Sequence, residues 1–160
     1  MKLGIISDTH DNLPLIEKAV EIFNDANVDL VLHAGDYVSP FSIKPLLLLE
    51  CDFLGVWGNN DGDKLALRNI AQGKIENSPL VDTYKGKKIL IGHDLLLLES
   101  LISSQDFYLI VYGHTHLPEI KNVGNTLVVN PGECCGWVYG KATIAVADLD
   151  SHTAELISLT

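Results

Sequence analysis

The hydrophobic and polar positions in the first half of the chain alternate between strand-like and helix-like patterns. Residues 2–7, 29–34 and 52–57 are short apolar runs with few interruptions, which is typical of strands buried on both faces. Between these runs, apolar positions recur with the period of a helix. The resulting βαβαβα order favours a parallel sheet with right-handed crossover connections.

Three helices are predicted between and after these strands. Asn12 is placed to cap the first, with Pro14 in its first turn and an apolar stripe along one face. A second, short helix is expected over residues 42–50, where Pro45 is tolerable only in the first turn. The third helix ends near Ala71.

Turn signals are frequent in the second half of the chain. Gly86 and Lys87 separate two apolar segments and predict a hairpin. Such turns favour a second, mostly antiparallel sheet that packs on the first within one domain of residues 1–160. The predicted elements are strands over residues 81–85, 88–91, 107–112, 118–123, 126–130, 141–148 and 152–159, and a leucine-rich helix over residues 94–104.

Composition and charge exclude several classes of protein. Hydrophobic residues make up 47% of the chain and charged residues 20%, which is ordinary for a globular protein. No apolar run reaches the roughly 18 residues of a transmembrane helix, and Asp8 ends the apolar start too early for a signal peptide. Three cysteines without metal-type spacing indicate reduced thiols in the cytoplasm. The formal charge of −10 repels nucleic acid and anionic lipid, so a phosphate-bearing substrate needs a local source of positive charge.

Five short polar motifs end five of the predicted strands, at the strand ends where parallel sheets bind ligands. The last motif, residues 113–116, carries two histidines whose side chains point the same way if the backbone stays extended. Seven side chains able to bind a metal come from these motifs: Asp8, His10, Asp36, Asn59, His93, His114 and His116.

Each of these seven residues also has an ordinary structural explanation. The two aspartates could cap turns, Asn59 could serve a left-handed turn, and His93 or His114 could be a core histidine. Independent structural causes for all seven are implausible, because four of the six histidines fall in the motifs. A mixed imidazole, carboxylate and amide set suits a pair of divalent transition metals better than calcium or structural zinc.

Two such metals also resolve the problem of charge. Two carboxylates and one hydroxide offset three of their four positive charges, and the remaining charge faces the anionic phosphate. Metals about 3.5–4 Å apart share a hydroxide whose pKa falls to about 7, and they clamp the phosphoryl oxygens during in-line attack.

In their order along the chain, the five motifs resemble those of the calcineurin-like metallophosphoesterase superfamily. They are Asp-x-His at residues 8–10, Gly-Asp at 35–36, Gly-Asn-x-Asp at 58–61, Gly-His at 92–93 and Gly-His-x-His at 113–116. The short chain and Asn-Pro-Gly-Glu at 130–133 are similar to its small bacterial and archaeal phosphodiesterases of the YfcE/MJ0936 type. The resemblance implies a mixed α/β fold, a four-layer αββα sandwich of two mixed β-sheets flanked by helices, with a dinuclear centre at one edge.

The resemblance also implies how the seven side chains divide between two divalent metals, which are Mn, Ni, Co, Fe or Zn. One metal is held by Asp8, His10, Asp36 and His116, and the other by Asp36, Asn59, His93 and His114, so that Asp36 bridges. The catalytic residues assigned on this basis are Asp36, Asn60, His93 and His114.

Three positions depart from the family pattern. Asn60 stands where the wider superfamily often has a histidine, and Glu133 stands where many relatives have a serine. The fourth motif, often His-Gly-His in small relatives, is Gly-His-Asp at residues 92–94, so His93 is the ligand with least support.

Outside the ligand set, His33, Asp61 and Asn130 are expected to support the metal ligands. Packing within a strand explains His33 equally well, and closure of a turn explains Asn130. Trp137 and Tyr139 either flank the substrate or pack at a subunit contact, and packing is the preferred explanation.

The favoured interpretation is a cytoplasmic, metal-dependent phosphodiesterase that acts on a small phosphodiester through a metal-bridging hydroxide. The alternatives are a phosphomonoesterase on the same centre and a non-catalytic scaffold of the same fold, as in a eukaryotic retromer subunit. A scaffold can lose metal ligands without penalty, whereas every ligand position here holds a competent residue. We expect no binding to duplex nucleic acid or membrane, and we allow for a homo-oligomer.

Overall fold

A computed structural model describes all 160 residues and contains eleven β-strands and four α-helices. In chain order the elements are β1 (Lys2–Ile6), α1 (Leu13–Asp25), β2 (Leu30–His33), a 3-10 turn (Pro40–Ser42), α2 (Ile43–Leu46), β3 (Asp52–Val56), α3 (Lys64–Ile70), β4 (Ile75–Glu76), β5 (Leu80–Tyr84), β6 (Lys87–Ile91), α4 (Leu98–Ser104), β7 (Leu109–Val111), β8 (Glu119–Val123), β9 (Thr126–Asn130), β10 (Thr143–Asp148) and β11 (Thr153–Ser158).

The strands form two sheets, and both are mixed. The first has the order β11-β10-β1-β2-β3-β4, with β1 to β4 parallel and β10 antiparallel to both of its neighbours. The second has the order β5-β6-β7-β9-β8, with β6, β7 and β9 parallel and the edge strands β5 and β8 antiparallel. The prediction of a mostly antiparallel second sheet is therefore wrong. Its hairpins supply only the edges, because α4 makes a crossover that leaves β6 and β7 parallel.

Three apolar cores separate four layers. Helices α1, α2 and α3 cover one face of the first sheet, where Phe23 and Leu46 share a core with Val31. The facing sides of the two sheets enclose a second core that includes Leu32 and Val129. Helix α4 covers the outer face of the second sheet with a smaller core. The predicted αββα sandwich is confirmed.

Helix α2 is shorter than predicted because the Asn24 side chain, not a further helical turn, bonds the backbone groups that follow it. The helix ends at Leu46, so the predicted end at residue 50 is wrong. Beyond it, the Asn24 side chain of α1 donates to the Leu48 carbonyl and accepts from the Glu50 N–H. These bonds satisfy backbone groups that a longer helix would have paired internally.

The other differences are local. Asn12 precedes α1, but its amide donates to the Cys135 carbonyl instead of capping the helix. The hairpin turn is Lys85-Gly86, one residue earlier than predicted, because both residues have the positive φ of a two-residue type I′ turn. Helix α4 begins at Leu98 rather than residue 94, and the short strand β4 was not predicted.

None of the four helices has the length and apolar character needed to cross a bilayer.

Candidate metal centre

The loops that follow β1, β2, β3, β6 and β7 meet at one edge of the sandwich. Backbone bonds join them: the Asp8 N–H donates to the Gly35 carbonyl, and the Gly113 N–H donates to the His93 carbonyl. The parallel direction of these strands places their carboxyl ends side by side. The seven predicted side chains are thereby brought together from five separate parts of the chain.

Most of these seven residues have an unusual backbone conformation. Positive φ angles occur at Asp8 (53°), His10 (38°), Asp36 (61°), His114 (66°) and His116 (61°). Such angles cost a non-glycine residue roughly 1–3 kcal/mol and cluster at functional sites. The backbone is therefore not extended at either histidine of residues 113–116, so the condition under which their side chains would point the same way is not met. The two histidines turn towards different neighbours, as their contacts show.

The first group of side chains surrounds Asp8, which is completely buried. Its Oδ2 accepts from the Ser7 hydroxyl at 2.6 Å and from the His114 N–H at 3.1 Å. Its Oδ1 lies 3.3 Å from His116 Nε2 and 3.9 Å from His10 Nε2. Asp8 Oδ1 and His10 Nε2 are buried and have no hydrogen-bond partner. Buried polar atoms without partners that face one another indicate a place for a cation.

The second group surrounds Asn59. Its Oδ1 lies 2.9 Å from both His93 Nε2 and His114 Nδ1. Asp36 stands between the groups, because its Oδ2 lies 3.4 Å from His10 Nε2 and 3.4 Å from His93 Nε2. The side chains therefore form two adjacent groups with Asp36 between them, and His93 lies among them.

The electrostatic environment keeps Asp36 ionised. Burial by itself raises the pKa of the Asp36 carboxyl, but hydrogen bonds from His93 and Asn60 outweigh that effect and hold its pKa well below the usual range. The Asn60 backbone N–H donates to Oδ1 at 2.8 Å, and the Asn60 side-chain amide donates to Oδ2 at 2.7 Å.

Two of the histidines are held by hydrogen bonds on the side away from the centre. His93 Nδ1 donates to the Ala34 carbonyl at 2.7 Å, and His116 Nδ1 donates to Glu133 Oε2 at 2.8 Å. Such bonds orient the rings and direct Nε2 of each towards the centre.

Glu133 is the functional residue that sequence analysis left without a role. Its side chain is completely buried and also accepts from the backbone N–H groups of Val138 and Tyr139. Burial raises the pKa of the Glu133 carboxyl, but the His116 bond and the two backbone bonds outweigh it and lower the pKa overall. Its position just after β9 could have pointed to the centre, because Asp8 and Asp36 also follow strands and line it.

Asp61 and Asn130 support the loops rather than facing the centre. The Asp61 carboxylate accepts from the Val38 N–H at 2.8 Å and the Gly58 N–H at 2.7 Å, which ties the loops after β2 and β3 together. The buried Asn130 amide donates to the Gly113 carbonyl at 3.1 Å and the Thr115 hydroxyl at 3.0 Å. A role for either residue in supporting metal ligands stays a prediction.

His33 packs within the fold. It is completely buried, its ring stacks on Tyr37 with centroids 3.8 Å apart, and its Nδ1 accepts from the Gly35 N–H. Burial lowers the pKa of His33 to about 3, so the ring is neutral. Its Nδ1 contacts the loop after β2, and its Nε2 lies 3.3 Å from the hydroxyl of Thr9, the residue between Asp8 and His10.

Two motif glycines make room for the carboxylates. A Cβ on Gly58 would overlap Asp36 Oδ1, and a Cβ on Gly113 would overlap the Ser7 hydroxyl and lie 2.7 Å from Asp8 Oδ2. At Gly58 and Gly113, a larger residue would therefore overlap a side chain from, or next to, a different motif.

Cys135 lies beside the first group. Its Sγ and one ring nitrogen each of His10 and His116 are all within 4.8 Å of one another. Burial raises the pKa of the Cys135 thiol to about 12, and the thiol donates to Glu133 at 3.4 Å. In the metal-free protein this cysteine is a neutral thiol, and no cysteine of the chain forms a disulfide.

The sequence matches the calcineurin-like phosphoesterase superfamily domain over residues 1–152. It is 41% identical to the phosphodiesterase MJ0936 of Methanocaldococcus jannaschii, across 99% of both chains. A solved structure of a novel archaeal phosphodiesterase shares 39% identity over 99% of both chains, with a TM-score of 0.92. Zinc-complexed Vps29 of Entamoeba histolytica shares the fold alone, with 18% identity, full coverage of both chains and a TM-score of 0.70. On the family match and the 41% identity, the protein belongs to the calcineurin-like phosphoesterase superfamily, as its five motifs predicted.

Proposed function

We propose that the protein is a divalent-metal-dependent phosphodiesterase with a dinuclear centre. The strongest support is the position of Asp36, whose Oδ2 lies 3.4 Å from a histidine nitrogen of each group. The relative MJ0936 is named a phosphodiesterase, which supports the same activity for this chain.

The residues present fit two metal ions. They offer four imidazoles, two carboxylates and one amide oxygen, a set suited to Mn, Fe, Co, Ni or Zn. The unpartnered Asp8 Oδ1 and His10 Nε2 are the atoms that such an ion would satisfy. Bound there, divalent metals lower the pKa of water to about 7 and neutralise charge on a phosphoryl group.

The side chains of the protein have distinct tasks in this proposal. His93 and His116 present Nε2 in a fixed orientation because Ala34 and Glu133 hold their other nitrogens. The Asn60 amide, which contacts Asp36, is near enough to the centre to donate a hydrogen bond to a phosphoryl oxygen. We assign catalysis to Asp36, Asn60, His93 and His114 on this basis.

The cellular compartment and the size of the substrate are inferred from the cysteines and the net charge. Three free cysteines, two of them buried, support a reducing cytoplasm. The formal charge of −10 supports a small phosphodiester, held by a local charge, over an extended nucleic acid. Formation of a homo-oligomer stays a prediction.

Metal analysis combined with turnover tests this function. Protein stripped with a chelator and reloaded with Mn²⁺ should bind two ions per chain and hydrolyse bis(p-nitrophenyl) phosphate faster than p-nitrophenyl phosphate. Asp36→Ala should lose both ions and nearly all activity, whereas Asn59→Ala should weaken mainly one site. The matched control is His152→Ala, because this sixth histidine bonds the Tyr108 carbonyl away from the centre.

Each alternative has its own outcome in that experiment. Faster turnover of the monoester would assign a phosphomonoesterase. Two bound ions without turnover of any ester would favour a scaffold. Binding of fewer than two ions at saturating Mn²⁺ would contradict the dinuclear centre.

A further inference from the structure

A cavity of about 280 Å³ opens beside the metal centre. It is lined by His116, Leu117, Pro118, Tyr139 and Lys141. His116 belongs to the centre, so the cavity adjoins the place where a phosphoryl group would sit. Tyr139 is 52% exposed and Leu117 is 51% exposed, so apolar side chains that a core would normally bury surround the opening.

Polar bonds, rather than core packing, hold the segment 137–139 at this opening. The buried carboxylate of Glu133 accepts from the Val138 and Tyr139 N–H groups while it also accepts from His116 Nδ1. On the other side, the Trp137 indole donates to the His10 carbonyl at 3.3 Å. The segment is therefore attached to both histidines of the first group. An exposed aromatic side chain on a backbone segment held next to the centre is typical of a ligand site, since little ordering of the backbone is needed on binding.

Lys141 gives the cavity a positive charge. The chain has only 11 basic residues against 21 acidic ones, and Lys141 is the one that lines this cavity. An aromatic and apolar wall with one cation suits a flat ring system that is attached to an anion.

We propose that this cavity binds one ester group of the substrate, and that this group carries a nucleobase that stacks on Tyr139. This inference rests on the proposed phosphodiesterase function and names its substrate class as nucleotide-type diesters. The volume is slightly below the 300 Å³ or so at which pockets for drug-sized ligands begin, so it accommodates a single ring system and not an extended chain.

Binding of non-hydrolysable ligands tests the cavity separately from catalysis. We would titrate Mn²⁺-loaded protein with the phosphonate analogues of AMP and of ribose 5-phosphate, which differ only in the base and whose P–C bond resists hydrolysis. Stacking of a base on an aromatic side chain should make the AMP analogue bind roughly 5- to 150-fold more tightly.

Variants assign that advantage to individual side chains. Tyr139→Ala should abolish the advantage of the AMP analogue, and Tyr139→Phe should retain it. Lys141→Gln should weaken both analogues by a similar factor, because it acts on the shared anion. Lys85→Gln, in the distant β5–β6 turn, is the matched control and should change neither.

Equal affinity for the two analogues in the native protein would overturn the proposal without reference to any variant. So would an advantage that survives in Tyr139→Ala. If phenylphosphonate gains the same advantage over the ribose analogue while the AMP analogue does not, the site takes small aryl esters and the nucleobase assignment is wrong. Since no ligand is hydrolysed, failure to turn over any diester would count against the proposed function only.

Discussion

Asn60 is the residue at which the chemistry of this centre differs most from the wider family pattern. Its backbone and side-chain N–H groups both bond Asp36, so it lies beside the carboxylate proposed to bridge the metals. A histidine there can protonate a leaving group near neutral pH, whereas an amide carries no titratable proton. His33 does not replace it, because that ring is completely buried and stacked on Tyr37.

We therefore expect good leaving groups to be hydrolysed much faster than poor ones. A well-placed general acid contributes on the order of 10²–10⁴-fold, and that contribution is missing here. Rates across a series of aryl methyl phosphodiesters should depend steeply on leaving-group pKa in the native protein and less steeply in Asn60→His. A flat dependence in the native protein would mean that another group protonates the leaving oxygen.

Glu133 allows a second test at the scale of one residue. In Glu133→Gln, the side-chain oxygen still accepts from the backbone of residues 138 and 139, but the new NH₂ group cannot accept from His116 Nδ1. Loss of such an outer partner typically lowers metal affinity about 10–100-fold. Competition with a chelator measures this change, and Glu155→Gln on β11 is the exposed control. Unchanged affinity in Glu133→Gln would show that His116 needs no acceptor.

At the scale of elements, the site depends on tight loops that leave space for side chains from neighbouring loops. Five of its seven candidate ligands have positive φ, and Gly58 sits against the Asp36 carboxylate. The loops hold these conformations because backbone bonds and the Asp61 carboxylate join them to one another. Strand ends thus supply the ligands, and the contacts between loops set their angles.

The loop after β3 contains a matched pair of glycines that tests this view. Gly58→Ala should displace Asp36 and lower metal affinity by at least about 10-fold, with a loss of about 1–3 kcal/mol in the free energy of unfolding from overpacking. In Gly62→Ala, the new Cβ would lie 3.6 Å from the Val38 carbonyl, an ordinary contact, so both quantities should stay unchanged. Equal effects of the two substitutions, measured by metal titration and denaturant unfolding, would contradict the packing argument.

At the scale of the whole molecule, charge and the shared core set the limits of function. The formal charge of −10 comes from 21 acidic residues against 11 basic ones, so the protein as a whole repels anions. The core between the two sheets joins the halves of the chain, which supports the prediction of one domain.

Duplex DNA should therefore bind weakly. Tight binding requires the release of counterions by several lysine or arginine contacts along the backbone, and the excess of 21 acidic over 11 basic residues opposes such contacts. A gel-shift titration with random duplex DNA at low salt should show no complex at micromolar protein, next to a basic DNA-binding protein as a positive control. Strong binding that weakens steeply with salt would show that a basic surface has been overlooked.

The sequence by itself determined the layers of the fold and the identity of the seven candidate ligands. Apolar periodicity reports which positions are buried, and polar residues at strand ends stand out against it, so Asp8, Asp36 and His93 were recognisable without coordinates. The ordered motifs also identified the family, because residue types and their spacing are read directly from the chain.

Only the tertiary structure decided strand direction in the second sheet, the orientation of the ligands and the role of Glu133. Periodicity records burial but not direction, so the parallel run β6-β7-β9 was missed. Positive φ at His114 and His116 is held by contacts with other loops and leaves no local signature in the sequence. Glu133 meets His116 only when β9 lies beside β7, because hydrogen bonds between segments distant along the chain depend on the completed sheet.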